Sequence, residues 1–317
     1  MSWLKRRGGA LVIMGASAVG GAAYRHFQAA ESTRASLNPY TFTPYTLVEK
    51  KAVSRTSAIF TLRNGDGGPD GMGDVWKRSV WSVEIKQPQL QIARAYTPLP
   101  PGPGQDAPGT AQPADIRLLI RQEQGGEVST YLHRLPATST IELRGPNTEY
   151  ELPADVNQVI FLAGGTGIAP AMQIAHALAT RPGTKMHILW ANRRREECRG
   201  GVSDDGPSGL VNNGQPKGAV VQELDALKER ANAATRGMRV QYYVDEEKTF
   251  LQQAHVEKTM ATTLADKGSR LILVSGPSGF VQHWAGAKVW VGGTETQGPL
   301  GGVLGKMKLK DWKVVKL

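Results

Sequence analysis

The sequence has a single cysteine, Cys198, in 317 residues. One cysteine excludes an intramolecular disulfide, a cysteine-rich zinc site and a cysteine-held iron-sulfur cluster, so a redox centre has to arrive as an organic cofactor. Cys198 stands in Arg193-Arg-Arg-Glu-Glu-Cys-Arg199 and reads as a lone exposed loop thiol without a role. Acidic residues are absent from Met1 to Ala30, where Lys5, Arg6, Arg7 and Arg25 carry the charge, the profile of a mitochondrial presequence. Long apolar runs are missing too. The uncharged stretch from Gly8 to Ala23 stands near the lower limit of about 17 residues for a spanning helix. Gly9, Gly15, Ala16 and Gly20 there favour close helix packing and weaken the helix. The expectation is a mitochondrial inner-membrane anchor over 1–35, with the soluble domains facing the intermembrane space. A cleaved targeting peptide stays open, and a secretory signal is disfavoured because no disulfide framework follows it.

Lys and Arg (38) outnumber Asp and Glu (28), for a formal net charge of +10. The cations are spread along the chain, and no basic stretch is interleaved with stacking aromatics, so nucleic acid is not expected as a partner. The surplus suits an anionic membrane surface, an acidic redox partner or the phosphates of a dinucleotide.

What is present divides the rest of the chain in two. Glu31 to Pro44 reads as a polar linker. From there to Pro153 the chain shows short β-rich runs, Ser57–Arg63, Val80–Ile85, Ile116–Ile120 and Thr140–Leu143, without a long amphipathic helix. The expected first domain, over 36–153, is an antiparallel β-barrel. Two stretches rich in Gly and Pro, Gly65–Gly73 and Pro98–Pro113, read as exposed loops. After Pro153 apolar strands alternate with helices: Val159–Ala163, a helix Pro170–Ala179, Met186–Trp190, a helix Val221–Ala231 with Leu224 and Leu227 inward, Val240–Val244 and Leu271–Val274. This alternation predicts a parallel-sheet α/β domain over 154–317. Arg193 to Gly218 reads as a mobile surface insertion.

The chemistry concentrates at strand ends. Val159–Ala163 runs into Gly164-Gly-Thr-Gly-Ile-Ala-Pro170, where glycines permit a tight turn and Pro170 suits the first turn of a helix. The free N–H groups and dipole of that helix start favour a pyrophosphate, although any tight strand-to-helix connection uses glycine structurally. A second turn, Ser275-Gly-Pro-Ser-Gly-Phe280, follows another buried strand. In the first domain Arg94-Ala-Tyr-Thr-Pro98 sets a phosphate-binding cation, an aromatic face and a hydroxyl side by side.

In that order, together with Gly125-Gly-Glu-Val-Ser-Thr-Tyr-Leu132, these motifs resemble the ferredoxin-NADP reductase superfamily and in particular the NADH-cytochrome b5 reductases, over about Tyr45 to Val291. The resemblance implies an FAD-binding barrel followed by an NAD(P)-binding domain. It implies that Arg94, Gly126, Val128 and Ser129 hold the FAD pyrophosphate, that Tyr96 lies against the flavin, and that Thr97, followed by Pro98, lies near its N5. Gly165, Thr166 and Gly167 would border both flavin and nicotinamide, and Gly276, Pro277 and Phe280 would line the nicotinamide pocket. Thr97, Thr166 and Ser275 are then the candidate catalytic positions, and no metal is expected.

Asp245 ends a strand where relatives that use NADPH bind its 2′-phosphate. A carboxylate there repels that group, so NADH is expected in preference to NADPH. Glu246 and Glu247 strengthen the argument, and Arg193 to Arg195 oppose it if they fold inward. Ser275 departs from the cysteine usual in these reductases, which implies slower hydride transfer, and Ile120-Arg-Gln-Glu lacks the aromatic usual near the FAD ribose. The tail Lys310–Leu317 is expected to pack near the flavin. The anchor, Ser275 and the tail together look like the fungal mitochondrial cytochrome c import factor branch. That likeness implies an NADH-fed enzyme reducing haem or a haem protein beside cytochrome c haem lyase and apocytochrome c. A flavin-binding assembly factor with little turnover and a general cytochrome b5 reductase are the alternatives.

Overall fold

The computed structural model describes residues 37–65, 73–102, 115–179, 181, 183–205, 216–234, 237–262 and 268–317. The expected anchor over 1–35 lies outside them, as do 66–72, 103–114 and 206–215 of the expected loops. No helix among the described residues is long and apolar enough to cross a membrane.

The first part is an antiparallel sheet of seven strands: β1 (Thr43–Ala52), β2 (Ser57–Asn64), β3 (Ser79–Gln87), β4 (Ile92–Tyr96), β5 (Pro98–Leu99), β6 (Ile116–Arg121) and β7 (Thr140–Glu151). Their order is β4-β3-β7-β1-β2-β6-β5. Helix α1 (Gly73–Arg78) precedes β3, and α2 (Glu127–Arg134) lies between β6 and β7. Period-2 alternation builds the core. Trp81, Val83 and Ile85 of β3 point into one apolar cluster with Tyr45, Phe60, Leu118 and Leu143, while Val80 points the other way.

Two expectations need correction here. The linker expected to run to Pro44 ends earlier, because Leu37 and Thr43 are buried and β1 has already begun at Thr43. Pro98 and Leu99 are not loop but a short strand paired with Leu118 and Arg117. A proline fits there because β5 is the edge of the sheet, where a missing donor costs no ladder bond.

The second part is a parallel sheet in the order β10-β9-β8-β11-β14. It comprises β8 (Val156–Gly164), β9 (Lys185–Asn192), β10 (Met238–Val244), β11 (Ser269–Ser275) and β14 (Trp312–Lys316). The helices are α3 (Ile168–Leu178), α4 (Ala219–Ala234), α5 (Gln253–Ala261) and α6 (Ser278–Ala285), and a separate hairpin pairs β12 (Val289–Val291) with β13 (Thr294–Thr296). β8 is apolar throughout its middle because both its faces are covered. Phe161 enters the cluster under α3 and α4, and Ile160 and Leu162 enter the one on the opposite face. From β8 the chain first moves outward to β9 and β10, then returns to β11 on the other side. Ligands of such sheets sit at that reversal of order, outside the carboxyl ends of the strands.

The tail has a regular place in the fold. It adds the fifth strand, paired in parallel with β11, and Leu317 N–H donates to Val274 C=O (2.9 Å). The Lys316 ammonium is buried and donates to the carbonyls of Ala287 (3.0 Å) and Pro299 (2.9 Å).

The two parts share a core: Ile59, Val80, Leu99 and Leu119 of the first sheet belong to the same apolar cluster as α3 and α4. Polar links run alongside. Arg117 pairs with Glu223 (2.6 Å), Arg121 pairs with Glu197, and Arg181 donates to the carbonyls of Pro153 (2.9 Å) and Lys77 (3.1 Å).

Burial in this fold has a consequence for pH. The imidazoles of His133, His187 and His255 all titrate below their usual 6.5, with burial as the main cause. In the unfolded chain they take up protons near 6.5, before the folded protein does, so stability falls as pH drops below that value. The urea midpoint should be lower at about pH 5.5 than at about pH 7.5, and His187→Gln should shrink the difference. A midpoint that rises on acidification contradicts this.

Candidate functional site

The parallel sheet sets the geometry of the site. β8 ends at Gly164, and Gly165-Thr166-Gly167 form one tight turn before α3. Gly165 has a φ of +52°, and its carbonyl accepts the buried Trp190 indole N–H (2.9 Å). Neighbouring β11 ends at Ser275, which pairs in register with Ala163. The two strand ends therefore bring their turns into backbone contact. A Cβ on Gly167 would lie 2.3 Å from the Ser275 carbonyl oxygen, and one on Gly276 would lie 3.0 Å from Gly164 Cα. Phe280 closes the same place, since a Cβ on Gly164 would meet its ring at 2.8 Å. These glycines are required by packing alone, before any ligand is considered.

The antiparallel sheet supplies the opposite wall. Arg94 on β4 is exposed, donates to the Ala93 carbonyl (2.9 Å) and forms no ion pair among the described residues. Tyr96 is half-buried, and burial pushes its phenol up to about 12, so it remains protonated at neutral pH. Helix α2 begins after Gly126, and its first internal bond runs from Thr130 N–H to Gly126 C=O (3.0 Å). The amides of Glu127, Val128 and Ser129 precede that bond, as the first turn of a helix leaves them. The Ser129 hydroxyl is taken up by its own loop, accepting from Glu123 N–H (3.1 Å) and donating to Gly126 C=O (3.2 Å).

Two clefts result. One, of about 310 Å³, is lined by Arg94, Tyr96, Arg121, Glu123, Gly126, Val128, Ser129 and Thr166. The other, of about 150 Å³, is lined by Tyr96, Thr97, Thr166, Gly167, Pro170, Ser275 and Gly276. Tyr96 and Thr166 border both. Residues from four separate stretches of sequence thus meet at one place. Pro98 is buried in β5 and lines neither cleft, Pro277 caps α6, and Phe280 sits on Gly164. Asp245 lies apart, exposed beyond the end of β10 and outside both clefts.

Arg121 and Glu197 were not singled out from the sequence. Arg121 lines the larger cleft and pairs with the buried Glu197, which belongs to the turn after β9. Arg195 turns toward the acids after β10: its guanidinium grips Glu247 and its N–H donates to Glu246 (2.5 Å). Cys198 is not an exposed thiol. It is fully buried with Arg195 Nη1 at 3.6 Å, and burial pushes it up to about 12, which leaves an inert thiol. Nor is all of 193–218 a free loop, since Ser203 Oγ accepts Tyr242 N–H (2.9 Å) and Asp204 accepts Val240 N–H (2.8 Å), sealing the β10 edge.

Comparison with known proteins agrees with this architecture. The oxidoreductase FAD-binding domain matches residues 44–152 and the oxidoreductase NAD-binding domain matches residues 161–199. Over 287 residues the chain is 26% identical to NADH-cytochrome b5 reductase 2 of Mycosarcoma maydis, covering 89% of this chain and 74% of that protein. A shorter stretch of 93 residues is 38% identical to the cytochrome c mitochondrial import factor of Saccharomyces cerevisiae, covering 26% of this chain and 24% of that protein. The cytochrome b5 reductase domain of Ulva prolifera nitrate reductase has the same fold, with a TM-score of 0.52 at 16% identity over 78% of this chain and 91% of that chain. The fold and the paired clefts therefore define an oxidoreductase that uses FAD and a nicotinamide dinucleotide. The chain carries an oxidoreductase FAD-binding domain and an oxidoreductase NAD-binding domain, and it is similar to NADH-cytochrome b5 reductases.

The residues present suit FAD. The Arg94 guanidinium, without an ion pair among the described residues, and a helix start face one cleft, and the loop that shapes it admits only glycine at 126, because a Cβ there would lie 2.7 Å from Ser129 Oγ. The Gly167 contact gives a direct test of how the clefts are built. Gly167→Ala must push β8 and β11 apart at their ends, so it should destabilise by about 1–3 kcal/mol, as overpacking does, and deform the smaller cleft. An unchanged melting temperature and unchanged nucleotide affinity would contradict the close approach.

Proposed function

We propose that the protein passes electrons from NADH to a haem or a haem protein. The observation that carries this reading is the junction of the two clefts at Tyr96 and Thr166, where a flavin-side strand and a nicotinamide-side turn face each other. When bound, FAD supplies the chemistry, accepting two electrons from a nicotinamide and releasing them singly.

The chain's own residues bind and orient. Arg94 and the first-turn amides of α2 hold the pyrophosphate, whose charge the helix start favours. Glu123 and Glu127 stand at the same cleft and oppose that charge, which makes Arg94 the more important. Tyr96 offers its ring to the flavin, and Thr97 and Thr166 offer hydroxyls on the two sides of the junction. Gly167 and Gly276 leave the smaller cleft free of side-chain bulk, and Ser275 occupies the wall where the relatives' motif carries cysteine. Asp245, Glu246 and Glu247 keep the end of β10 acidic, and Glu247 already neutralises Arg195, so that guanidinium is taken up before a 2′-phosphate could use it.

Similarity to the cytochrome b5 reductases supports a haem-protein acceptor, and similarity to the import factor supports a place in mitochondrial cytochrome c maturation, beside haem lyase and apocytochrome c. The presequence-like composition of Met1 to Ala30 supports a mitochondrial address, and the uncharged run Gly8 to Ala23 supports anchorage in the inner membrane; the intermembrane-space side is part of the proposal.

Purified protein should be yellow, and NADH should bleach it under anaerobic conditions; a bound flavin that NADH never bleaches contradicts the proposal. Ferric haem, cytochrome c and cytochrome b5 supplied as acceptors then rank the partners. Arg94→Gln should weaken FAD binding roughly 10- to 100-fold, the range for losing a hydrogen bond to a charged group. For the dinucleotide, Glu247→Gln should release Arg195 and raise the NADPH-to-NADH ratio of kcat/KM. A ratio that stays constant or falls removes the acids from the specificity argument.

A further inference from the structure

Gln173, on the face of α3 turned toward the antiparallel sheet, is fully buried at 0% exposure. A carboxamide in such a place must find partners or carry a heavy desolvation cost. All the partners it finds lie in the other domain. Trp81 N–H donates to its Oε1 (2.9 Å), and its Nε2 donates to the carbonyls of Trp81 (3.1 Å) and Pro98 (2.9 Å). The side chain thus pairs with Trp81 in both directions, as a neighbouring strand residue would, and reaches across to β5.

The two anchored points matter because of their neighbours in the sequence. Pro98 follows Tyr96 and Thr97 directly, and Gln173 lies on the rigid helix that starts at the Gly165–Gly167 turn. The shared apolar core holds the domains together but has no directional preference, whereas hydrogen bonds to backbone fix a register. Arg117–Glu223 and Arg121–Glu197 also cross between the domains, each through two flexible side chains. Gln173 alone among these bonds a side chain to the backbone beside Thr97.

We infer that Gln173 is a positioning residue, one that sets the separation between the strand carrying Tyr96 and Thr97 and the turn carrying Thr166. The inference rests on the proposed meeting of flavin and nicotinamide at that junction. A displacement of about 1 Å between reacting groups can slow a reaction roughly 100-fold.

The test compares the FAD-loaded wild type with Gln173→Met, which has similar length and no amide, and with Val256→Ala, a core truncation on the opposite face of the parallel sheet. Three quantities are read: the limiting rate of anaerobic bleaching by NADH, the apparent dissociation constant of NADH, and hydrogen-deuterium exchange of the peptide containing Trp81. For Gln173→Met we expect bleaching slower by roughly 10- to 100-fold, little change in NADH affinity, unchanged bleaching by dithionite, and faster exchange at Trp81. Val256→Ala should lower the melting temperature without slowing the limiting rate. A Gln173→Met rate equal to wild type, or matched by Val256→Ala at the same loss of stability, overturns the inference. If Gln173→Met does not fold, Gln173→Asn keeps the amide one methylene short and is read the same way. If NADH fails to bleach the wild type, the functional reading fails by itself. Exchange at Trp81 then still decides whether Gln173 holds the domains in register, and unchanged exchange overturns that too.

Discussion

The site depends on a single close approach, that of Gly167 to the Ser275 carbonyl. Parallel strands in a twisted sheet place their carboxyl ends next to each other, but the turns that follow normally diverge around their side chains. Here the lack of a side chain at Gly164, Gly167 and Gly276 lets the two turns touch, with Phe280 laid over them and the Trp190 indole holding the Gly165 carbonyl. Everything on the nicotinamide side is placed by that contact: the start of α3, the position of Thr166 and the wall at Ser275. Because the contact is backbone against backbone, any side chain added there must be answered by movement of a strand end.

The flavin side is placed by different means. β4 and β5 are the two edges of the antiparallel sheet, and edges are the parts of a sheet least constrained by their own ladder. β5 is fixed from outside, through Leu99 in the core shared with α3 and α4 and through the Pro98 carbonyl, whereas β4 is held by its pairing with β3. The ion pairs of Arg117 and Arg121 with Glu223 and Glu197 link the domains, and because they are largely buried, removing one partner would leave an uncompensated charge. A site divided between two domains needs this reinforcement, since interfaces within a chain otherwise permit relative motion.

How much of this could be read in the sequence follows from range. Strands buried on both faces, such as β8 and β11, announce themselves as apolar runs, and the glycine turns stand directly after them. β1 did not, because beyond Leu47 it is largely exposed and carries Glu49, Lys50 and Lys51, so its alternation is lost in charge. β14 hid for a related reason. Its Lys316 looks like a tail charge, yet its ammonium is buried and satisfied by two carbonyls far away in the chain. Gln173 and the Arg121–Glu197 pair depend on partners 92 and 76 residues distant, which no local pattern encodes. Cys198 was misjudged by its company: four arginines and two glutamates suggest a surface loop, but Arg195 and Glu197 are consumed by internal pairs and the thiol is folded beneath them.

The serine at 275 can now be separated into two parts. Its carbonyl makes the contact with Gly167, and its pairing with Ala163 fixes the end of β11; neither involves the side chain. The fold therefore places no demand on the identity of residue 275 beyond a size that fits a nearly buried place. A change from thiol to hydroxyl at this position leaves the architecture untouched and alters only what the wall of the smaller cleft presents. Backbone geometry alone carries the fold at this corner, which leaves the side chain at 275 free of any structural duty there.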